Sequence, residues 1–253
     1  MSNIEVQPAS GPAFCLTQWQ RVANTFTAPS KTFEDIKNGN RSWWLPLIIY
    51  TVAAYMLFAV VYTRIGMQQV VDNQIHLSPS SEARLAQATP EQRETSNKIS
   101  VGFTEAAFIA NPVFVMAGVA LMSLVIWGTI NFGFGGRATF GGMFAMWMFA
   151  TLPSIIKSLL GMITILAGMA PESFNIKNMA PTNLGAFLDP IETNKALYSL
   201  ASSVDIVTIW TLILLGMGTS MIAGTKRGSG YIAVFGWWVV VVLVSAGVAA
   251  VTG

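Results

Sequence analysis

The chain has 253 residues, 53% of them hydrophobic and only 10% charged, with a net charge of +2 and a mean hydropathy of +0.56. Soluble domains carry about 25% charged residues, so this composition excludes an ordinary water-soluble globule and points to a chain embedded in lipid. The small net charge argues against a nucleic-acid or other polyanionic partner, and the single cysteine, Cys15, excludes an internal disulfide.

The first segment, 1–13, reads as disordered. The first forty residues hold no apolar run long enough for a cleavable signal peptide, so the first membrane helix is expected to do the targeting. Further on, Trp19, Val22, Phe26, Phe33 and Ile36 recur near helical spacing around Pro29. That pattern predicts two short amphipathic helices lying in the membrane interface, with Trp19, Phe26, Phe33 and Ile36 as anchors. The tail is 1–42 and the membrane domain 43–253.

A spanning helix needs roughly 20 mostly apolar residues to cross about 30 Å of hydrocarbon. Stretches at about 44–63, 107–132, 143–169, 197–223 and 231–251 meet that requirement, which predicts an all-α, polytopic fold with five transmembrane helices. The loops 64–106 and 170–196 then lie together on one side. In the first of them, "TPEQ" from Thr89 supplies an N-cap, a proline at the first helical position and a glutamine that can complete a capping box. "SPSSEARLAQ" from Ser78 repeats this more weakly, which predicts a small helical hairpin.

Orientation follows from the short flanks. Arg21, Lys31, Lys37, Arg41, Arg137, Lys226 and Arg227 fall on one side and outnumber Glu5, Glu34 and Asp35. On the other side acidic residues outnumber Arg64, Arg84, Arg93, Lys98, Lys177 and Lys195. The N-terminus is therefore expected in the cytoplasm and the C-terminus outside.

Few residues offer chemistry. His76 is the only histidine, so a two-histidine zinc motif is impossible and no metal is expected. "GFGG" and "GSG" follow no strand and read as turns, not phosphate loops, and no cofactor is expected. What remains is a pair of charges inside apolar spans, Lys157 and Asp205, and an intramembrane charge is a functional-site candidate by default. Ser154, Lys157 and Thr164 share a small-polar stripe with Gly161 and Gly168, while Ser202, Asp205 and Thr208 are spaced by three on the fourth span. Such stripes mark helix–helix interfaces, and both charges are expected to face protein.

Residue counting places Asp205 nearer the outside than Lys157, by an axial offset of roughly 6 Å. Pro153 is expected to bend the third span and to free the carbonyl of Phe149. The lysine is therefore expected to bond that backbone or to snorkel inward, with a direct Lys157–Asp205 pair as the alternative.

"FTAPSKTFEDI…WWLPL", "FGGRATFGGMFAMWMFATLPSIIKSLL" and "SSVDIVTIWTLILLGMG" together resemble the Yip-domain family, and its bacterial branch in particular. These are five-span membrane proteins named for members that interact with Ypt/Rab GTPases. The resemblance covers most of the chain except its outer loops and implies a non-enzymatic protein with a cytoplasmic N-terminal tail. Rab binding transfers poorly, because the tail is only about forty residues and a bacterial cell has no prenylated Rab. The expected role is a scaffold or partner-binding protein of the inner membrane, whose partners are the lipid bilayer and other membrane proteins or further copies of itself. The alternative is a small-solute or proton-coupled transporter working through Lys157 and Asp205. An intramembrane enzyme would need paired carboxylates or a nucleophile with its base, and neither is present.

Overall fold

The computed structural model describes residues 15–252; the disorder expected for 1–13 lies outside them. The described chain is built from helices, and five helical segments are long and apolar enough to cross a membrane: Trp44–Arg64, Asn111–Gly133, Phe140–Leu166, Ile206–Ala223 and Arg227–Val251. The first is α3 (Trp44–Arg64), and the second is α7 (Asn111–Gly128) prolonged by a π turn. The third is divided into α8 (Phe140–Ala150) and α9 (Ile155–Leu166) by a 3-10 turn at Leu152–Ser154. Pro153 has no amide hydrogen to continue the ladder, which is why the change of helix type falls there.

Close contacts set the levels of these helices. A Cβ on Gly161 would meet Leu57 of α3, and Ser154 Oγ lies 3.5 Å from Tyr50 OH. A Cβ on Gly218 of α11 (Ile206–Ala223) would meet Met146, and one on Gly216 would meet Tyr231 of α12 (Arg227–Thr252). Counting along each helix puts Trp44, Met148, Gly216 and Tyr231 at one level. From there α3, α9 and α12 each run roughly 27–30 Å, the thickness of a hydrocarbon layer. On the other side of that level, α8 and the last turns of α11 form a base.

The tail wraps this base. Thr17 caps α1 (Gln18–Thr27) in a reciprocal capping box with Gln20, and Pro29 opens α2 (Pro29–Lys37). The interfacial expectation needs correction for two of the four anchors. Phe33 and Ile36 are fully buried in the main core, and α2 packs on α8 and α11. Their spacing by three puts both side chains on one helix face, and Gly218 leaves room for Phe33. Phe26 meets Trp210 edge-on at 5.9 Å, and Trp19 alone is largely exposed, at 68%.

A buried charge cluster fastens this arrangement. Arg21 on α1 has a fully buried side chain whose Nε lies 3.3 Å from Asp35 Oδ2. It donates to the carbonyls of Ser42 (2.7 Å) and Asn40 (2.8 Å), and its guanidinium lies 4.3 Å from the ring centroid of Phe149. Burial pulls the Arg21 pKa down to about 10, against the opposing pull of Asp35. Removing one side of a buried ion pair typically costs about 3–5 kcal/mol. Arg21→Met should destabilise the protein by that order and accelerate proteolysis between Gln18 and Arg41 in micelles. Unchanged cleavage would mean that the pair does not hold the tail.

The opposite end carries α4 (Met67–His76), α5 (Pro79–Ala86) and α6 (Pro90–Ile109), so the expected two-helix hairpin is a three-helix unit. The Thr89 capping box forms, whereas Ser78 makes no side-chain cap. α4 adds Met67 and Val70 to a second apolar cluster with Leu57, Val61, Met162 and Phe174. Asn73 donates to the carbonyls of Pro171 (2.8 Å) and Phe174 (2.9 Å), tying this unit to the second loop.

Candidate functional site

The fourth span is where the structure departs most from a simple helix. The stretch expected to run unbroken from 197 to 223 is two helices, α10 (Lys195–Ser203) and α11, separated by the non-helical Val204 and the extended Asp205. α12 packs along both pieces. The second loop covers the break: Leu184 N donates to Val204 O at 3.2 Å and Ile206 N to Thr182 O at 3.1 Å. This short antiparallel bridge between Asn183 and Asp205 satisfies backbone groups that a helix would otherwise have paired. Gly185 permits the approach, since a Cβ there would fall on Ser202 Oγ.

Asp205 is the N-cap of α11, and its Oδ1 accepts from Thr208 N at 2.7 Å. The same oxygen lies 3.0 Å from Lys157 Nζ, while Oδ2 accepts from the Thr182 hydroxyl. Lys157 also donates to Thr208 Oγ1 at 2.8 Å. Asp205 is 2% exposed and the lysine side chain 33%. The expectation that Lys157 bonds freed backbone or snorkels is thus corrected: it pairs directly with Asp205. From the common level of Met148 and Gly216, Lys157 is nine residues along α9 and Asp205 eleven along α11, roughly 13 and 16 Å. The remaining offset, about 3 Å, is within reach of a lysine side chain. Both charges sit near the middle of the apolar length of these helices.

The other polar residues of the stripes lie elsewhere. Ser154 faces Tyr50 on α3, and Thr164 donates to Gly161 O of its own helix at 2.9 Å. Ser202 is carried away from Asp205 by the break and packs on Gly185. The spacing by three held only if the fourth span were continuous. Thr182 carries no sequence signal of its role, because a loop threonine in "APTNLG" has no periodicity. Asn183 next to it is buried, and its Nδ2 donates to Asn178 Oδ1 at 2.6 Å.

Chemically, the centre is closed on itself. Both carboxylate oxygens accept hydrogen bonds from the protein, and the ammonium has two oxygen partners. Its evident work is to hold a broken helix, a loop and α9 together. Elsewhere, Cys15 is exposed and free, and His76 lies at the surface 3.7 Å from Glu82.

Searches of the curated proteins and of the solved structures find no match. The family model for the Yip1 domain matches residues 23–249, from the middle of α1 to the last turn of α12. With nine-tenths of its length inside that model and five apolar segments able to cross a bilayer, the chain belongs to the Yip1-domain family of multi-pass membrane proteins.

Proposed function

We propose that this protein is a non-enzymatic scaffold of the inner membrane that binds other membrane proteins or further copies of itself. The observation that carries the reading is the Lys157–Asp205 centre, where both carboxylate oxygens and the ammonium are engaged in holding a broken helix, a loop and α9 together. The N-terminus is cytoplasmic and the C-terminus outside in this reading. Lys31, Lys37, Arg41, Arg137, Lys226 and Arg227 support it, since they sit around the base that α1 and α2 wrap. In-cell crosslinking followed by purification in native lipid should yield a reproducible, stoichiometric membrane partner or a defined oligomer. A cytoplasm-active reporter fused at Gly253 should be silent, and an active one would reverse the orientation.

A second reading, a small-solute or proton-coupled transporter, is favoured by one feature. Transporter sites are often built at discontinuous helices near the midplane, and the fourth span breaks there beside a charged pair. Flux into liposomes that disappears in Asp205→Asn would support transport and overturn the scaffold reading.

A further inference from the structure

Four cationic side chains gather at the base, where the link between α7 and α8 meets the turn between α11 and α12. Hydrogen bonds fix that link in place. Asn131 holds Ala138 from both sides: its Oδ1 accepts from Ala138 N at 2.8 Å and its Nδ2 donates to Ala138 O at 3.0 Å. Trp127 Nε1 donates to the same carbonyl at 2.8 Å. Arg137 N donates to Ala223 O at 3.0 Å, which seats the link on the last turn of α11. Lys226 and Arg227 follow Ala223 directly across the turn. Arg41 arrives from the tail, with its Cδ 3.7 Å from where a Cβ on Gly141, in the first turn of α8, would stand.

All four side chains are exposed, and among the described residues none of them makes a hydrogen bond or an ion pair. Acidic groups do not offset them. Asp35 is buried against Arg21, and the exposed Glu34 lies between Lys31 and Lys37 on its own helix. The corner therefore carries uncompensated positive charge.

Its place in the fold says what it meets. Arg41 lies just ahead of the first span, Arg137 lies between the second and third, and Arg227 opens the fifth. Exposed rings stand at the same ends: Trp44 opens the first span, Phe132, 83% exposed, lies beside the end of the second, and Phe140 opens the third. Aromatic rings at span ends sit at headgroup level, so these cations face the headgroup layer. Guanidinium groups bind phosphate oxygens in bidentate fashion. A zwitterionic headgroup offsets its phosphate with its own ammonium, whereas an anionic one leaves the charge to the protein.

We propose that Arg41, Arg137, Lys226 and Arg227 form a site for the phosphate-bearing headgroup of an anionic glycerophospholipid in the leaflet at the base. Arg137 is its anchor, because the pinned link leaves less freedom to lose on binding. This goes beyond the scaffold reading, since it concerns the lipid and not a protein partner.

The test is native mass spectrometry of the full-length protein from micelles holding equal amounts of phosphatidylglycerol and phosphatidylcholine with identical acyl chains. The first lipid retained should be phosphatidylglycerol, by about tenfold or more. Arg137→Gln should lower that preference about fivefold, and Arg137→Lys should keep most of it. Arg137→Gln/Lys226→Gln/Arg227→Gln should bring the two lipids to parity. Arg64→Gln/Arg84→Gln/Lys177→Gln, which removes three exposed cations at the opposite end, should leave the preference intact. If the first triple variant fails to fold, Arg137→Gln alone decides. Parity in the wild-type protein, full preference in a folded Arg137→Gln or triple variant, or an equal loss in the opposite-end variant would overturn the proposal. Displacement of the lipid by excess glycerol 3-phosphate would overturn it too, by showing a site for soluble phosphate. None of these results bears on whether a protein partner is found, so the scaffold reading stands or falls separately.

Discussion

Gly230→Ala should destabilise the protein by more than about 3 kcal/mol, beyond the usual range for an overpacked methyl group. The added Cβ would fall on the carbonyl oxygen of Gly216 and close to the backbone nitrogen of Ser220. Neither can swing aside as a side-chain tip could, so α11 and α12 would have to separate. Their approach is set by the tight turn after α11, where Gly224 takes a left-handed conformation with φ of 66°. Small residues at such a crossing let membrane helices meet backbone to backbone. Gly236→Ala is the control, because nothing lies within 4 Å of its Cβ position. It should be neutral or stabilising by up to about 1 kcal/mol, the helix-propensity difference. Thermal unfolding of both variants in one detergent checks the contrast, and equal melting would refute the close crossing.

Asp205→Ala should be the most damaging change in the polar centre, at about 3–5 kcal/mol. One substitution removes the partner of Lys157, the N-cap of α11 and the acceptor of Thr182. Lys157→Met should be milder, because Asp205 keeps its bonds from Thr208 N and Thr182 and can bind a proton. Apparent melting temperatures in micelles should therefore rise in the order Asp205→Ala, Lys157→Met, wild type. Equal losses would mean that capping and the loop tie contribute little.

The sequence carried the five apolar runs, the bend at Pro153 and the Thr89 helix start, because each is a local signal. It also singled out Lys157, Asp205 and Thr208, since a charge in an apolar run stands out without any tertiary knowledge. What it concealed depends on contacts between distant segments. The break at Val204–Asp205 is stabilised by a loop twenty residues earlier, and nothing in "SSVDIV" alone marks a helix break. The pairing distance depends likewise on packing: the contact of Gly218 with Met146 sets the level of α11 against the third span, and the lysine and aspartate then come within 3.0 Å. In the same way, Phe33 and Ile36 look like lipid anchors until Gly218 and Met146 supply the protein surface that receives them. Arg21 and Asp35 read as ordinary tail charges for the same reason.

A double-mutant cycle of Lys157→Met with Asp205→Asn, read as stability in one detergent, tests the clamp most directly. Residues in direct contact couple by about 0.5–3 kcal/mol, whereas distant ones add independently. The structure leads to a coupling of about 2 kcal/mol or more, with the double variant markedly more stable than the sum of the single losses implies. A coupling below about 0.5 kcal/mol would contradict a direct pair, and with it the view that Lys157 and Asp205 together hold the broken fourth span.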